Sequence, residues 1–366
     1  MGEARQPSRH PAGEAEAGRR DSSRPLRIAQ IAAPWLTVPP EGYGGIEAMI
    51  AVLCDGLIER GHDVTLFASG GSQTRAGLVS EYDKALGMAE AVAKPFLQFP
   101  HILRAYRHAI DFDIIHDHTF PLGPAIGTNI ARPPVVHTVH GPPDDPTAQP
   151  IYEALGDGVQ LVAISNFQRK TVSGLNYVAT VYNGIAVEDH PWREDKDDYL
   201  LFVGRMTADK GVHLAVQTAR RLGRRLRVIG KMAEPAEIEY FESKVKPLLT
   251  DDIEILGETS GAEKLDLYTR AACTLMPIQW PEPFGLVMVE SMACGTPVVA
   301  WRNGSVPEIV EDGVTGFVRD DLDSFVEAVG KVDQIQPREC RRKVEERFSK
   351  EAMVDGYEQV YRAADR

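Results

Sequence analysis

The sequence predicts an α/β protein of two similar domains, each a parallel sheet covered by helices, with a cleft between them. Three observations carry this. Short apolar runs of the buried-strand type alternate with helically spaced segments along most of the chain. A polar, acidic stretch interrupted by Pro191, residues 188–198 (EDHPWREDKDD), breaks the alternation near the middle. The pattern then restarts as it began, with strand, glycine-bearing loop, helix and strand. A length of 366 residues suits two domains. A content of 43% hydrophobic and 25% charged residues fits a soluble, well-packed enzyme and excludes a disordered chain, a fibrous repeat and a disulfide-built miniprotein.

Residues 1–24 are rich in Arg, Glu, Pro, Gly and Ser and have no apolar stretch, so they read as a disordered tail and not as a secretory signal. The first domain then spans 25–187. Arg27 to Ala32 is a buried strand, followed by a Pro/Gly-rich loop. Ile46 to Arg60 carries Met49, Ile50, Leu53 and Leu57 at helical spacing, closed by Gly61, and Asp63 to Ala68 is the next strand. Strands follow at Ile114–His116, Val135–His137, Leu161–Ala163 and Thr180–Tyr182. Alternation of this kind implies right-handed βαβ units.

Residues 188–198 read as the linker and 199–347 as the second domain. Its strands are Tyr199–Val203, Leu226–Ile229, Ile253–Leu256, Thr274–Met276 and Val298–Ala300, and its helices include Gly211–Arg221 and Ala236–Leu248. Residues 348–366 form a closing helix with Met353, Tyr357, Val360 and Tyr361 on one face. Ligands of open parallel sheets bind beyond the carboxyl ends of the strands, which directs attention to the loops facing the cleft.

Lys+Arg 40 against Asp+Glu 53 gives a net charge of −13, which argues against nucleic-acid binding. Cys54, Cys273, Cys294 and Cys340 form no C-x-x-C pair and suggest a reducing, cytoplasmic location. No apolar run approaches the roughly 18 residues of a membrane span. A basic amphipathic segment with His101, Arg104, Arg107 and His108 is open to weak peripheral contact with an anionic membrane, although packing on the sheet is the commoner use of such a segment. Oligomeric state is not legible.

Gly204 to Gly211 (GRMTADKG) follows a buried strand and opens a helix, so free backbone N–H groups point at the cleft. Arg205 and Lys210 add two positive charges there, a combination suited to a diphosphate; the plainer reading is a helix cap with two solvated cations. Glu282 and Glu290 flank the turn Pro283-Phe284-Gly285 into a helix, where carboxylates suit the hydroxyls of a polyol or of a sugar with its ribose. Gly44-Gly45 opens the first helix and lets a ligand approach the backbone, but Glu47 stands where a dinucleotide fingerprint needs a third glycine, and Ser69 ends the second strand without an acid. An NAD site is therefore disfavoured. His116-Asp117-His118 and His137 to His140 end two strands; their spacing matches no common zinc motif, so polar lining of a cleft is favoured over metal. Tyr43, His116 and His118 are the acceptor-side candidates.

Gly44-Gly45, Asp113 to His118, Tyr182-Asn183-Gly184-Ile185, Gly204-Arg205 with Lys210-Gly211, Glu282 with Glu290, Gly295 to Val299, and Pro307 to Gly316 occur in that order. The set resembles the family-4 retaining glycosyltransferases of the GT-B fold, from about Arg27 to Tyr361. The resemblance implies two Rossmann-like domains: an N-terminal one for the acceptor and a C-terminal one for a nucleotide-sugar. By it, Arg205 and Lys210 bind the donor diphosphate, Glu282 the transferred sugar and Glu290 the ribose. Phe284, Gly285 and Leu286 offer backbone groups to sugar and phosphate, Gly204 belongs to the same donor loop, Gly44 and Gly45 border the diphosphate, and His140 lies beside the donor sugar. Catalytic roles fall on Arg205, Lys210, Glu282 and His140. No divalent metal or other cofactor is implied, and the acceptor class stays open. Ala186, where many members have Asp, and Asn303-Gly304-Ser305, where a Gly-Gly pair is common, depart from the pattern. The rival readings are a nucleotide-sugar epimerase or a catalytically silent sugar-nucleotide-binding protein on the same fold.

Overall fold

The computed structural model describes residues 24–130, 132–259 and 261–365. Of the expected tail, residues 1–23 lie outside the described residues. Arg24 does not belong to a tail: it is anchored by Asp113 at 3.0 Å and Asp365 at 2.9 Å.

The first sheet contains β1 (Arg27–Ile31), β2 (Asp63–Phe67), β3 (Gly77–Val79), β4 (Ile114–Asp117), β5 (Val135–Val139), β6 (Gln160–Ala163) and β7 (Tyr177–Thr180). Its spatial order is β3-β2-β1-β4-β5-β6-β7, parallel throughout. The second contains β8 (Tyr199–Val203), β9 (Arg225–Ile229), β10 (Ile253–Gly257), β11 (Cys273–Met276), β12 (Val298–Trp301) and β13 (Gly316–Arg319), in the parallel order β10-β9-β8-β11-β12-β13. Both orders reverse direction beside the first strand of the sheet, between β1 and β4 and between β8 and β11. Loops leaving those neighbouring strands diverge there and leave a crevice.

The helices that frame the site are α1 (Gly45–Glu59), α2 (Gln98–His108), α3 (Asn166–Thr171), α4 (Val212–Leu222), α5 (Leu286–Ala293) and α6 (Lys350–Ala364). The inner face of α1 (Met49, Ile50, Leu53, Cys54 and Leu57) is fully buried against β1 and β2 and against Met353, Val354, Tyr357 and Tyr361 of α6. The closing helix thus belongs physically to the first domain. The chain crosses between domains twice, and the crossings are bonded to each other: Ile185 donates its N–H to Phe348 O, and Lys350 N–H returns a bond to Ile185 O.

Several elements differ from the expectation. β7 begins three residues before the expected Thr180–Tyr182 and ends at Thr180; Val181 still donates to Ala163 O at 2.9 Å, and Ile185 and Val187 beyond it are buried at the crossing. β3 and β13 were not anticipated. The expected helix Ala236–Leu248 is regular only over Pro235–Tyr240, then widens over Phe241–Val245 and tightens over Lys246–Leu248, where Pro247 has no N–H to continue it. The expected linker 188–198 is docked on the second domain. Lys196 Nζ binds the carbonyls of Thr269 and Cys294 and the hydroxyl of Thr296 at 2.9, 2.9 and 3.0 Å, a cation placed at the carboxyl ends of two helices. α2 turns Ile102, Ala105 and Tyr106 inward and leaves Arg104 and Arg107 outside, with Arg104 paired to Glu81 at 2.9 Å.

Cys54, Cys273, Cys294 and Cys340 are all buried and unpaired. Burial pushes the thiols of Cys273 and Cys340 up to about 12, so neither serves as a nucleophile. Among the described residues no helix is long and apolar enough to cross a membrane, and no group of three or more His, Cys, Asp or Glu side chains is arranged to hold a metal ion.

Candidate active site

The loop after β8 and the loop after β11 meet at the carboxyl end of the second sheet. Gly204 leaves β8, and Ala208–Lys210 forms a short turn that feeds α4. Gly211 joins turn to helix at φ +75°, and a Cβ there would stand 2.1 Å from the carbonyl oxygen of Pro277. Only glycine lets the two loops pass this closely. Gln279 fastens them further, its backbone N–H donating to Asp209 O and its side-chain amide to Ala208 O, both at 2.7 Å.

This closeness brings Lys210 to Glu282. Lys210 Nζ lies 2.7 Å from Glu282 Oε2, and Trp280 Nε1 donates to the same oxygen at 3.0 Å. The ammonium also sits 4.9 Å from the centre of the Trp280 ring, within cation–π range. One carboxylate oxygen of the largely buried Glu282 is therefore held by two donors, while Oε1 makes no hydrogen bond among the described residues. Ser305 fixes the backbone on either side, donating its N–H to Glu282 O and its hydroxyl to Phe284 O at 2.9 and 2.8 Å.

Arg205 is differently placed. Its nearest carboxylate, Asp209, is 3.7 Å away, beyond hydrogen-bond range, and its buried Nε has no partner. A guanidinium with its donors unspent beside a cleft is suited to an anion. The N-terminus of α5 opens nearby at Gly285, and the amides of Leu286 and Val287 precede the first intrahelical bond, so they too face a ligand unpaired. Phe284 is buried in the core against Phe348 and Tyr182 and offers backbone only. Glu290, about one turn further along α5, accepts from Lys264 at 3.0 Å and from Tyr268 at 3.2 Å.

The first domain closes the other side. Gly44 caps α1, and a Cβ on Gly45 would stand 3.1 Å from Leu286 Cδ1, so the glycine pair abuts the start of α5 across the cleft. Although 54% of Tyr43 is exposed, desolvation raises its phenol pKa; Arg205 pulls it down and Glu282, Glu47 and Asp209 push it up again. Tyr43 thus stands within electrostatic reach of the second domain's charged loop. Glu47 is buried in the first turn of α1, and burial raises its carboxyl pKa.

The histidines separate into distinct roles. His116 is fully buried, with Nδ1 on Tyr361 Oη at 2.7 Å and Nε2 on Thr138 Oγ1 at 2.8 Å, so it has no atom to offer an acceptor. His118 is buried as well, between Gln30 and His140. Of the three acceptor-side candidates only Tyr43 presents a free surface. Their place at strand ends marks the histidines as cleft lining without revealing that the closing helix covers His116 or that Gln30 and His140 take up His118. His140 is half-buried and joined to His118 at 3.0 Å; burial pushes its pKa down to about 3, with the charge of His137 adding to the effect. It is neutral at physiological pH.

Two further residues are given no role by the sequence, although Glu308 lies within the family-like run Pro307 to Gly316. Trp280 acts on Glu282 as described. Glu308 reaches across the domain boundary, accepting from the backbone N–H groups of Asn166 at 2.8 Å and Phe167 at 2.5 Å and from Tyr182 Oη at 2.9 Å. It caps α3 from the opposite domain.

Two doubly wound parallel sheets facing a shared cleft, with a free guanidinium and unpaired helix-start amides on one side, define a two-domain protein with a site suited to an anionic ligand. Residues 43–189 match the model of Glycosyltransferase Family 4, and residues 187–352 match that of Glycosyl transferases group 1. The D-inositol 3-phosphate glycosyltransferase of Thermobifida fusca is 28% identical, over 82% of this chain and 83% of its own. The O-antigen chain mannosyltransferase C of Escherichia coli is 25% identical, over 92% and 98%. Among solved structures, a glycosyltransferase involved in avilamycin A biosynthesis superposes with a TM-score of 0.73 at 28% identity, over 93% of this chain and 98% of that one. HepE of Anabaena, solved with UDP-glucose, has the same fold at a TM-score of 0.74 and 18% identity, over 92% and 100%. The chain belongs to the family-4-like glycosyltransferases of the GT-B fold.

Proposed function

We propose that this glycosyltransferase moves a sugar from a nucleoside-diphosphate donor to an acceptor hydroxyl with retention at the anomeric carbon. The observation that carries the reading is the donor set of the unspent Arg205 guanidinium, the Lys210 ammonium held on Glu282 and the free amides of the first turn of α5, gathered where Glu282 presents a free oxygen. The UDP-glucose held by HepE on the same fold supports a nucleotide-sugar as the donor class.

As the bond from sugar to phosphate breaks, negative charge grows on the diphosphate. Arg205 would meet it with a forked donor and Lys210 with a point charge. Lys210 has three N–H donors, so it can keep Glu282 and still reach a phosphate oxygen. Glu282 Oε1 would accept from a sugar hydroxyl, while Oε2, held by Lys210 and Trp280, keeps the carboxylate from turning. His140, neutral at physiological pH, would act as a hydrogen-bond partner and not as a proton carrier. The acceptor proton then goes to the leaving phosphate, and no metal is required.

Thermal shifts against UDP, GDP, ADP, dTDP and NAD, with Arg205→Ala alongside, test this. A ligand at about 100 times its dissociation constant stabilises by about 2.7 kcal/mol. The expected result is one nucleoside diphosphate that stabilises the wild type and not the variant, followed by a transfer product of unchanged anomeric configuration. A shift with NAD alone, or with none of the five, would contradict the reading.

A further inference from the structure

Beneath His140 a chain of buried hydrogen bonds runs from the first sheet to the closing helix. The register of β1 on β4 sets Gln30 beside His116, and period-two alternation puts His118 on the same face as His116. Thr138 of the neighbouring β5 joins them, and His140 follows two residues later. α6 covers this face with Tyr357 and Tyr361. Gln30, His116, His118, Thr138 and both tyrosines are all buried.

The donors and acceptors in the chain have a direction. Gln30 Nε2 donates to Tyr361 Oη at 3.0 Å, so Gln30 Oε1 is the atom 2.8 Å from His118 Nε2. An amide oxygen only accepts, and His118 Nε2 must therefore carry its proton. Burial drives the pKa of His118 well below its ordinary value, so the ring is neutral and its Nδ1 is a lone pair. His140 Nε2, 3.0 Å from that lone pair, must then be the donor. The neutral His140 is left with an unprotonated Nδ1, which makes no hydrogen bond among the described residues and is not sealed from solvent. On the far side Tyr361 donates to His116 Nδ1 and His116 Nε2 donates to Thr138, so the rest of the chain is satisfied in the same sense. The ring nitrogen a histidine presents to a ligand is set by the bond its other nitrogen makes.

We infer that Gln30, His118 and Tyr361 are positioning residues that hold His140 as its Nε2–H tautomer, leaving the Nδ1 lone pair to accept a hydrogen bond from a hydroxyl of the donor sugar. This rests on the transferase reading above. It makes α6, the last helix among the described residues, part of the control of the site, because Tyr361 orients the Gln30 amide from which the direction of the hydrogen-bond chain follows.

The experiment is a two-bond nitrogen–proton correlation spectrum of the full chain labelled with 15N-histidine, the His140 signals being assigned by their loss in His140→Asn. The wild type should show His140 protonated on Nε2 alone. Gln30→Met, which removes the acceptor, and Tyr361→Phe, which frees the Gln30 amide to turn over, should each give a mixed His140 tautomer. In the transfer assay both should lower kcat by about tenfold, the effect of losing one well-made hydrogen bond to the reacting sugar, with a smaller change in KM for the donor. A merely structural loss would not change the tautomer. A wild-type His140 protonated on Nδ1 overturns the inference even if neither variant folds, as does an unmixed tautomer in a folded Gln30→Met protein. Failure to transfer any sugar would count against the transferase reading alone, since the spectrum reports the tautomer independently.

Discussion

Gly304→Ala is a severe test of how the site is held. Gly304 lies in the left-handed region at φ +58°, and a Cβ built on it stands 2.3 Å from both the N and the O of Glu282 and 2.7 Å from Pro281 C. Real Cβ contacts do not fall below 3.0 Å, and ordinary contact begins at 3.4 Å, so the two segments must part by about 1 Å. They are also tied together, since Ser305 N–H donates to Glu282 O at 2.9 Å. Relief either breaks that bond or drags the Glu282 carboxylate from its place beside Lys210 and Trp280. The left-handed alanine costs about 1–2 kcal/mol and a lost hydrogen bond about 1 kcal/mol. A misplacement of about 1 Å at reacting groups lowers turnover about 10²-fold. Gly313→Ala is the control: at φ +78° it carries the same backbone strain, but its Cβ meets nothing within 4 Å. Urea melts should show both variants destabilised, and steady-state transfer should show only Gly304→Ala crippled. If Gly304→Ala kept kcat within about twofold of wild type, the close fit between residue 304 and Glu282 would not be what positions the carboxylate.

Arg205→Ala should lower kcat about 10²-fold, as expected for loss of one preorganised charge-stabilising donor, and unchanged kinetics would remove it from the mechanism. Burial pushes His116, His118 and His140 below their ordinary value of 6.5, so below that pH the unfolded chain binds more protons than the folded one. Stability should therefore be complete above pH 6.5 and fall as pH drops, by up to about 1.4 kcal/mol per pH unit for each histidine; a melting temperature that stayed flat from pH 7.5 to about 5 would contradict it. Glu308→Ala removes three bonds to a carboxylate at the domain boundary, each worth about 1.5–3 kcal/mol, and should raise amide exchange at Asn166 and Phe167; unchanged protection there would show that the boundary does not depend on Glu308.

The layered α/β architecture, the two sheets and most of their strands are legible along the chain, because each buried strand and each amphipathic helix carries its own short-period pattern. The sequence also placed Gly204 to Gly211 and Glu282 to Leu286 at strand ends, since strand, glycine-bearing loop and helix are consecutive on the chain. β3, three residues starting at a glycine, and β13, behind a turn, were too short to show a period. Where the strand pattern met the domain crossing, at residues 181–187, burial between domains looked like burial in a sheet.

What joins residues distant in sequence leaves no period to read. Lys210 and Glu282 are 72 residues apart, and His116 and Tyr361 are 245 apart. Alternation along β4 put His116 and His118 on one face, but only tertiary packing occupied both nitrogens of each ring, His116 between Tyr361 of α6 and Thr138 and His118 between Gln30 and His140, and turned two candidate ligands for an acceptor into supports for His140. The local chain supplies the propensity of each element and the chemistry of each side chain. Which oxygen stays free on Glu282, and which nitrogen on His140, depends on partners that meet only when both sheets and the closing helix are packed together.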